Sequence, residues 1–158
     1  MFALSRSHDL LTCENWESAG LFDIIRDALE RFEVAGGRAE RIVIKGENIR
    51  FSPQSALALG IVFNELATNA VKYGALSNEA GSILVEWTRE PTTGCGRVLL
   101  HWREKGGPPV TAPTRKGFGS RVIERSLSQL EGAAHLDYRP DGVICTMTMA
   151  IPRGASGG

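Results

Sequence analysis

The chain has 158 residues, the size of one domain, with 42% hydrophobic and 23% charged residues, as in an ordinary soluble globular protein. Lys plus Arg and Asp plus Glu number 18 each, so the formal charge is zero, which argues against a nucleic-acid surface or an anionic-membrane anchor. Cys13, Cys95 and Cys145 are far apart and form no CxxC pair, and His8, His101 and His135 lack metal-ligand spacing. These point to reduced thiols in a cytoplasmic protein. The longest apolar run, residues 56–63, is far short of a bilayer span.

The first 18 residues show no clear period, and they carry no signal-peptide pattern. Leu21, Ile25, Ala28 and Phe32 then recur at helical spacing, with Gly36-Gly37 as the stop. Residues 41–45 and 49–51 read as short strands. Ser52-Pro53 reads as an N-cap followed by proline at the first helical position. The helix that follows should run from Gln54 to about Tyr73 and stop at Gly74. Residues 82–89 and 97–104 alternate as strands, and 105–116 form a Gly- and Pro-rich loop long enough to be a lid. A third helix follows Gly119, with Ile123, Leu127 and Leu130 on one face. Two more strands flank the turn Arg139-Pro140-Asp141-Gly142. Residues 154–158 read as a disordered tail. The expected fold is α+β: a two-layer sandwich in which a mixed, mostly antiparallel sheet of about five strands is covered by three helices.

Three features could carry chemistry. Within the apolar second helix, Glu65, Asn69 and Lys72 share one face at i, i+4 and i+7, with Asn64 and Thr68 beside it. An amide oxygen suits Mg²⁺, which takes few protein ligands beside phosphates and water, and lysine supplies positive charge to phosphate. A solvated Glu–Lys stripe is the competing reading. On the strand 97–104, Val98, Leu100, Trp102 and Glu104 share one parity, so Glu104 points inward if that face is the core. An inward carboxylate needs a donor, such as the amino group of adenine. Taken alone, a strand-end Glu turned to solvent is the favoured reading. Gly117-Phe118-Gly119-Ser120 opens the third helix, where free backbone N–H groups can meet an anion. His101 falls on the opposite parity from Glu104, and Trp16 and Trp87 read as packing residues.

In combination these segments are more specific. Residues 64–77, from Asn64-Glu65 through Asn69, Lys72-Tyr73-Gly74 to Ser77, resemble the Asn box of sensor histidine kinases. Trp102-Arg103-Glu104 followed by Gly106-Gly107-Pro108 resembles the variant first glycine box of the HWE subfamily. Residues 117–120 resemble the second glycine box. The clear resemblance covers about residues 55–152, and residues 8–53 match more loosely. Asn64 stands where the HWE pattern carries a histidine, a choice common in a neighbouring histidine kinase subfamily.

The resemblance implies a Bergerat (GHKL-type) ATP-binding fold with ATP and Mg²⁺ as cofactors. It implies Asn69 as the Mg²⁺ ligand and Glu65 as base or polariser for an incoming histidine. Lys72 and Tyr73 would lie near the phosphates, and Glu104 would accept from the adenine amino group. Gly106, Gly117 and Gly119 would shape the lid, with Gly107, Phe118 and Ser120 also binding the nucleotide, and the Cys145–Thr146 strand would floor the adenine pocket, with Thr146 binding the nucleotide. Residues 1–18 would be the end of a dimerisation helix and its linker, and 19–153 the catalytic domain. The phosphoacceptor histidine would lie on a separate helical hairpin, with a response regulator downstream, and His8 reads as structural. A regulatory nucleotide-binding module of the anti-sigma or degenerate-kinase kind is the alternative. The WxE motif argues against a topoisomerase or chaperone ATPase.

Overall fold

The computed structural model describes residues 19–36, 41–90, 96–108 and 118–151. Ten elements follow one another: β1 (Ala19–Gly20), α1 (Leu21–Gly36), β2 (Ile42–Lys45), β3 (Arg50–Phe51), α2 (Pro53–Lys72), β4 (Ser82–Glu90), β5 (Arg97–Lys105), α3 (Phe118–Ser128), β6 (Ala133–Arg139) and β7 (Gly142–Ala150). The segments expected as linker and tail, together with His8, Trp16, Cys13, Cys95 and Gly117, lie outside the described residues.

Local chemistry sets the helix boundaries. Ser52 caps α2: its Oγ accepts from the Ser55 N–H at 3.2 Å, and Pro53 occupies the first turn, where a missing N–H goes unnoticed. At the other end the Tyr73 N–H donates to the Asn69 carbonyl, and both Gly74 and Leu76 N–H groups donate back to Ala70, so a turn closes over the last helical carbonyl of Ala70. Helix α3 begins at Phe118, one residue before the expected glycine, and buries Ile123, Leu127 and the following Leu130 as the period predicts.

The main sheet runs in the order β2-β4-β5-β7-β6, and β1 pairs with β3 in a separate two-stranded ladder. Among the described residues the β2–β4 pair is parallel, and the β4–β5, β5–β7 and β6–β7 pairs are antiparallel. The helix layer has α2 packed between α1 and α3. The core lies between the layers, where Leu59, Val62, Phe63 and Leu66 of α2 meet Ile83, Val85, Leu100, Trp102 and Met147 of the sheet. This is the α+β sandwich expected, with a five-stranded mixed sheet and three helices among the described residues.

The alternation along β5 decides what enters that core. Val98, Leu100, Trp102 and Glu104 are buried while their neighbours are only half-buried, so the helix-facing row ends in a carboxylate. No helix among the described residues is long and apolar enough to cross a membrane.

Candidate nucleotide site

Glu104 is the centre of the site. It is 5% exposed, yet both carboxylate oxygens are occupied. The Ala75 backbone N–H donates to Oε1 at 3.0 Å, and the Trp102 indole N–H donates to Oε2 at 2.9 Å. Burial pushes the Glu104 carboxyl above the usual carboxylate range, and the two hydrogen bonds pull against that shift. A carboxylate has about four lone-pair sites, so two donors leave acceptor capacity for a ligand.

Ala75 follows directly on the helix that carries Asn69, so the carboxylate is fastened to the end of α2. The loop after it is knotted by two side chains. The Arg41 guanidinium donates to the carbonyls of Ala75 at 2.9 Å, Asn78 at 2.6 Å and Gly81 at 2.6 Å. The Asn78 Oδ1 accepts from the Ala80 and Gly81 N–H groups, and its Nδ2 donates to the Gly106 carbonyl at 3.1 Å. The chain leaves β5 through Gly106, whose φ of +77° favours glycine. Gly107 then lies against the loop so closely that a Cβ would come within 2.7 Å of the Ala75 Cα. The first glycine pair, the end of α2 and the carboxylate thus form one cluster.

On α2, Glu65 and Asn69 are half-buried and Lys72 is exposed, as a stripe at the rim of the helix layer. Tyr73, 71% exposed, ends the helix. Phe118, Gly119 and Ser120 form the first turn of α3, which packs against α2.

The Cys145–Thr146 pair expected at the pocket floor is divided between the two faces of the sheet. Thr146 pairs with His101, and the two share the outer face of the sheet, away from Glu104. The inward residue is its neighbour Cys145, paired with Trp102 and fully buried. A one-residue change of register moves a side chain to the other face, and Val143-Ile144 before Cys145 hides the period because apolar residues occupy both faces there. The thiol of Cys145 is pushed up to about 12 by burial and by the charge of Glu104, so it stays protonated. Trp87 packs as expected, its N–H donating to the Glu47 carbonyl at 2.7 Å. Arg41 was not legible from the sequence, since an arginine that gathers loop carbonyls leaves no spacing signal.

The fold is one shared with the catalytic domains of histidine kinases. Its backbone is similar to the histidine kinase domain of the Erythrobacter litoralis EL346 blue-light activated histidine kinase, with a TM-score of 0.65 at 17% identity over 84% of this chain and 61% of that one. It is also similar to the catalytic domain of histidine kinase ThkA, with a TM-score of 0.63 at 19% identity over 89% of this chain and 97% of that one. In sequence it is 38% identical over 150 residues to the blue-light-activated histidine kinase of Brucella ovis, and 38% over 143 residues to that of Brucella anthropi. These alignments take in 94% and 90% of this chain but only 30% and 29% of those relatives. The HWE histidine kinase family model matches residues 1–48, so the looser N-terminal part of the resemblance carries a family signal of its own. By sequence the chain is thus similar to part of the HWE and blue-light-activated histidine kinases, spanning about 30% of the length of the latter.

Proposed function

We propose that this domain binds Mg²⁺–ATP and presents its γ-phosphoryl group to a histidine on a separate helical-hairpin domain, from which a response regulator is phosphorylated. The observation that carries this reading is the buried Glu104 carboxylate fixed to the end of the Asn69 helix. A base acceptor and a phosphate-side helix are thereby held at a set spacing. Residues 1–18 are read as the end of the dimerisation helix and its linker, residues 19–153 as the catalytic domain, and the whole as cytoplasmic, where ATP is available.

The donor set fits the magnesium nucleotide. Among the described residues no three His, Cys, Asp or Glu side chains gather to form a metal cage. A lone amide oxygen at Asn69 beside Glu65 matches an ion that keeps waters and phosphate oxygens and takes one or two protein ligands. Bound Mg²⁺–ATP supplies the transferable phosphoryl group and its charge neutralisation. Asn69 would hold the metal and Lys72 and Tyr73 would meet the phosphates. Glu65 would take or polarise the imidazole proton, and Glu104 would accept from the adenine amino group. Gly106, Gly107 and residues 117–120 would cover the nucleotide. Such transfer is positioning and electrostatics, with no covalent step on the protein.

Calorimetric titration with ATP, with and without Mg²⁺, tests the binding half. Asn69→Ala should abolish the Mg²⁺-dependent part of the affinity while circular dichroism stays unchanged. An unaltered Mg²⁺ dependence in the folded variant rejects the assignment. Incubation with γ-labelled ATP tests the transfer half: acid-labile label should appear on an added hairpin protein and not on this chain. Label on this chain alone, lost in His8→Ala, would place the acceptor here instead.

A further inference from the structure

We propose that Trp102 is a positioning residue for base recognition, its indole N–H and the Ala75 N–H bracketing the Glu104 carboxylate so that the remaining lone pairs hold one direction. The proposal rests on the reading of Glu104 as the adenine acceptor and extends it to the residue that makes the acceptor specific.

The geometry gives each oxygen one protein donor: Ala75 N–H on Oε1 at 3.0 Å and Trp102 Nε1–H on Oε2 at 2.9 Å. Trp102 reaches Glu104 because residues two apart on a strand share a face. It cannot swing away: it is fully buried, and its ring lies against Phe63 of α2 with centroids 6.2 Å apart. Both ends of the bracket are therefore rigid, one through the sheet and one through the backbone after α2.

The bracket matters because of what burial does to a carboxylate. Deprived of donors, a desolvated carboxyl takes up a proton and becomes a donor itself. A carboxyl that can donate meets the guanine carbonyl as readily as the adenine amino group, and the distinction between bases is lost. Two fixed donors keep the carboxylate an acceptor only. An apolar side chain at this place would pack with a smaller desolvation penalty, so core stability alone does not call for the arrangement.

The test compares ATP and GTP binding to the unmodified chain, Trp102→Phe, Glu104→Gln and the double variant, each checked for folding by thermal melt. Trp102→Phe keeps a ring and removes the N–H; it should lower ATP affinity about tenfold and reduce the preference for ATP over GTP. In the Glu104→Gln background the same change should be neutral or favourable. There the side-chain NH₂ replaces one of the two acceptor oxygens and faces an N–H donor, and removing the Trp102 donor relieves the conflict. A Trp102 that served only to fill the core would impose the same loss in both backgrounds, and that result overturns the proposal. Should Trp102→Phe not fold, the indole N–H resonance of the unmodified chain carries the test. It should be protected from solvent exchange and move on addition of ATP; exchange at the rate of an exposed indole overturns the bracket. If the unmodified chain binds ATP and GTP alike, the reading of Glu104 fails and the proposal with it. If it prefers ATP while Trp102→Phe matches it throughout, only the role of Trp102 fails.

Discussion

Gly74→Ala puts the link between α2 and Glu104 on trial with one methyl group. Gly74 is not among the glycines with left-handed φ, so alanine can adopt its backbone and the test is steric. The added Cβ would overlap Glu104 Oε1, and the Ala70 Cα, 3.2 Å away, also crowds it. The carboxylate must move off the Ala75 N–H, which it now meets at 3.0 Å, and shift relative to the Trp102 N–H at 2.9 Å. A hydrogen bond to a charged group is worth about 1.5–3 kcal/mol, and a buried donor left unpaired adds to the loss, so destabilisation of about 2–4 kcal/mol is expected. ATP affinity should fall at least tenfold, by roughly the 1.4 kcal/mol or more that a displaced acceptor loses. Gly60→Ala, in the same helix, is the control. Its Cβ would meet nothing within 4 Å, and replacing a glycine inside a helix should stabilise by about 0.5–1 kcal/mol with ATP binding untouched. Urea denaturation gives the stabilities and calorimetry the affinities. Gly74→Ala behaving like Gly60→Ala in both assays would refute the reasoning, because it would mean that the carboxylate is not held.

Lowering the pH should move stability and nucleotide affinity in opposite directions. Burial raises the Glu104 carboxyl above its ordinary 4.5. A group with a raised folded pKa favours folding below its unfolded value and loses that contribution as pH rises through the folded one. Between those two values the melting temperature of the unmodified chain relative to Glu104→Gln should therefore fall as pH rises, while its ATP affinity climbs as the acceptor ionises. Parallel changes in the two quantities would contradict this. Arg41→Lys should destabilise the chain by about 1–3 kcal/mol, since an ammonium cannot serve three carbonyls with a planar fork, and should weaken ATP binding through Ala75. A melt and an affinity equal to those of the unmodified chain would remove Arg41 from the site.

Where local chemistry decides, the fold was readable in advance. Ser52-Pro53 announces the start of α2 because a hydroxyl and a missing N–H solve a problem confined to one turn. The inward parity of Glu104 follows from strict alternation along β5. What could not be read is who meets whom across the chain. Ala75 and Glu104 lie 29 residues apart, and nothing in either neighbourhood announces the bond. The parallel pairing of β2 with β4 is equally silent, since a four-residue strand carries no mark of its partner. Which of Cys145 and Thr146 faces inward is unreadable for a related reason: with Ile144 and Met147 on opposite faces of β7, composition cannot fix the phase, and only pairing with Trp102 singles out Cys145. The resemblance to a known family located the boxes. The bonds that join them come from the three-dimensional arrangement.

The bond between Trp102 and Glu104 also gives the domain an optical reporter inside its own site. The sequence has three tryptophans. Trp87 is engaged elsewhere, with the Glu47 carbonyl, whereas Trp102 stands 2.9 Å from the carboxylate proposed as the base acceptor, which would gain a partner when a base docks. Indole emission responds to a charge at that distance. With Trp16 and Trp87 replaced by phenylalanine, the remaining fluorescence would follow the base end of the nucleotide directly, with no label attached. A phosphate-side event that left the base end undisturbed would leave that emission silent, so the two halves of the pocket could be timed separately in a single stopped-flow trace.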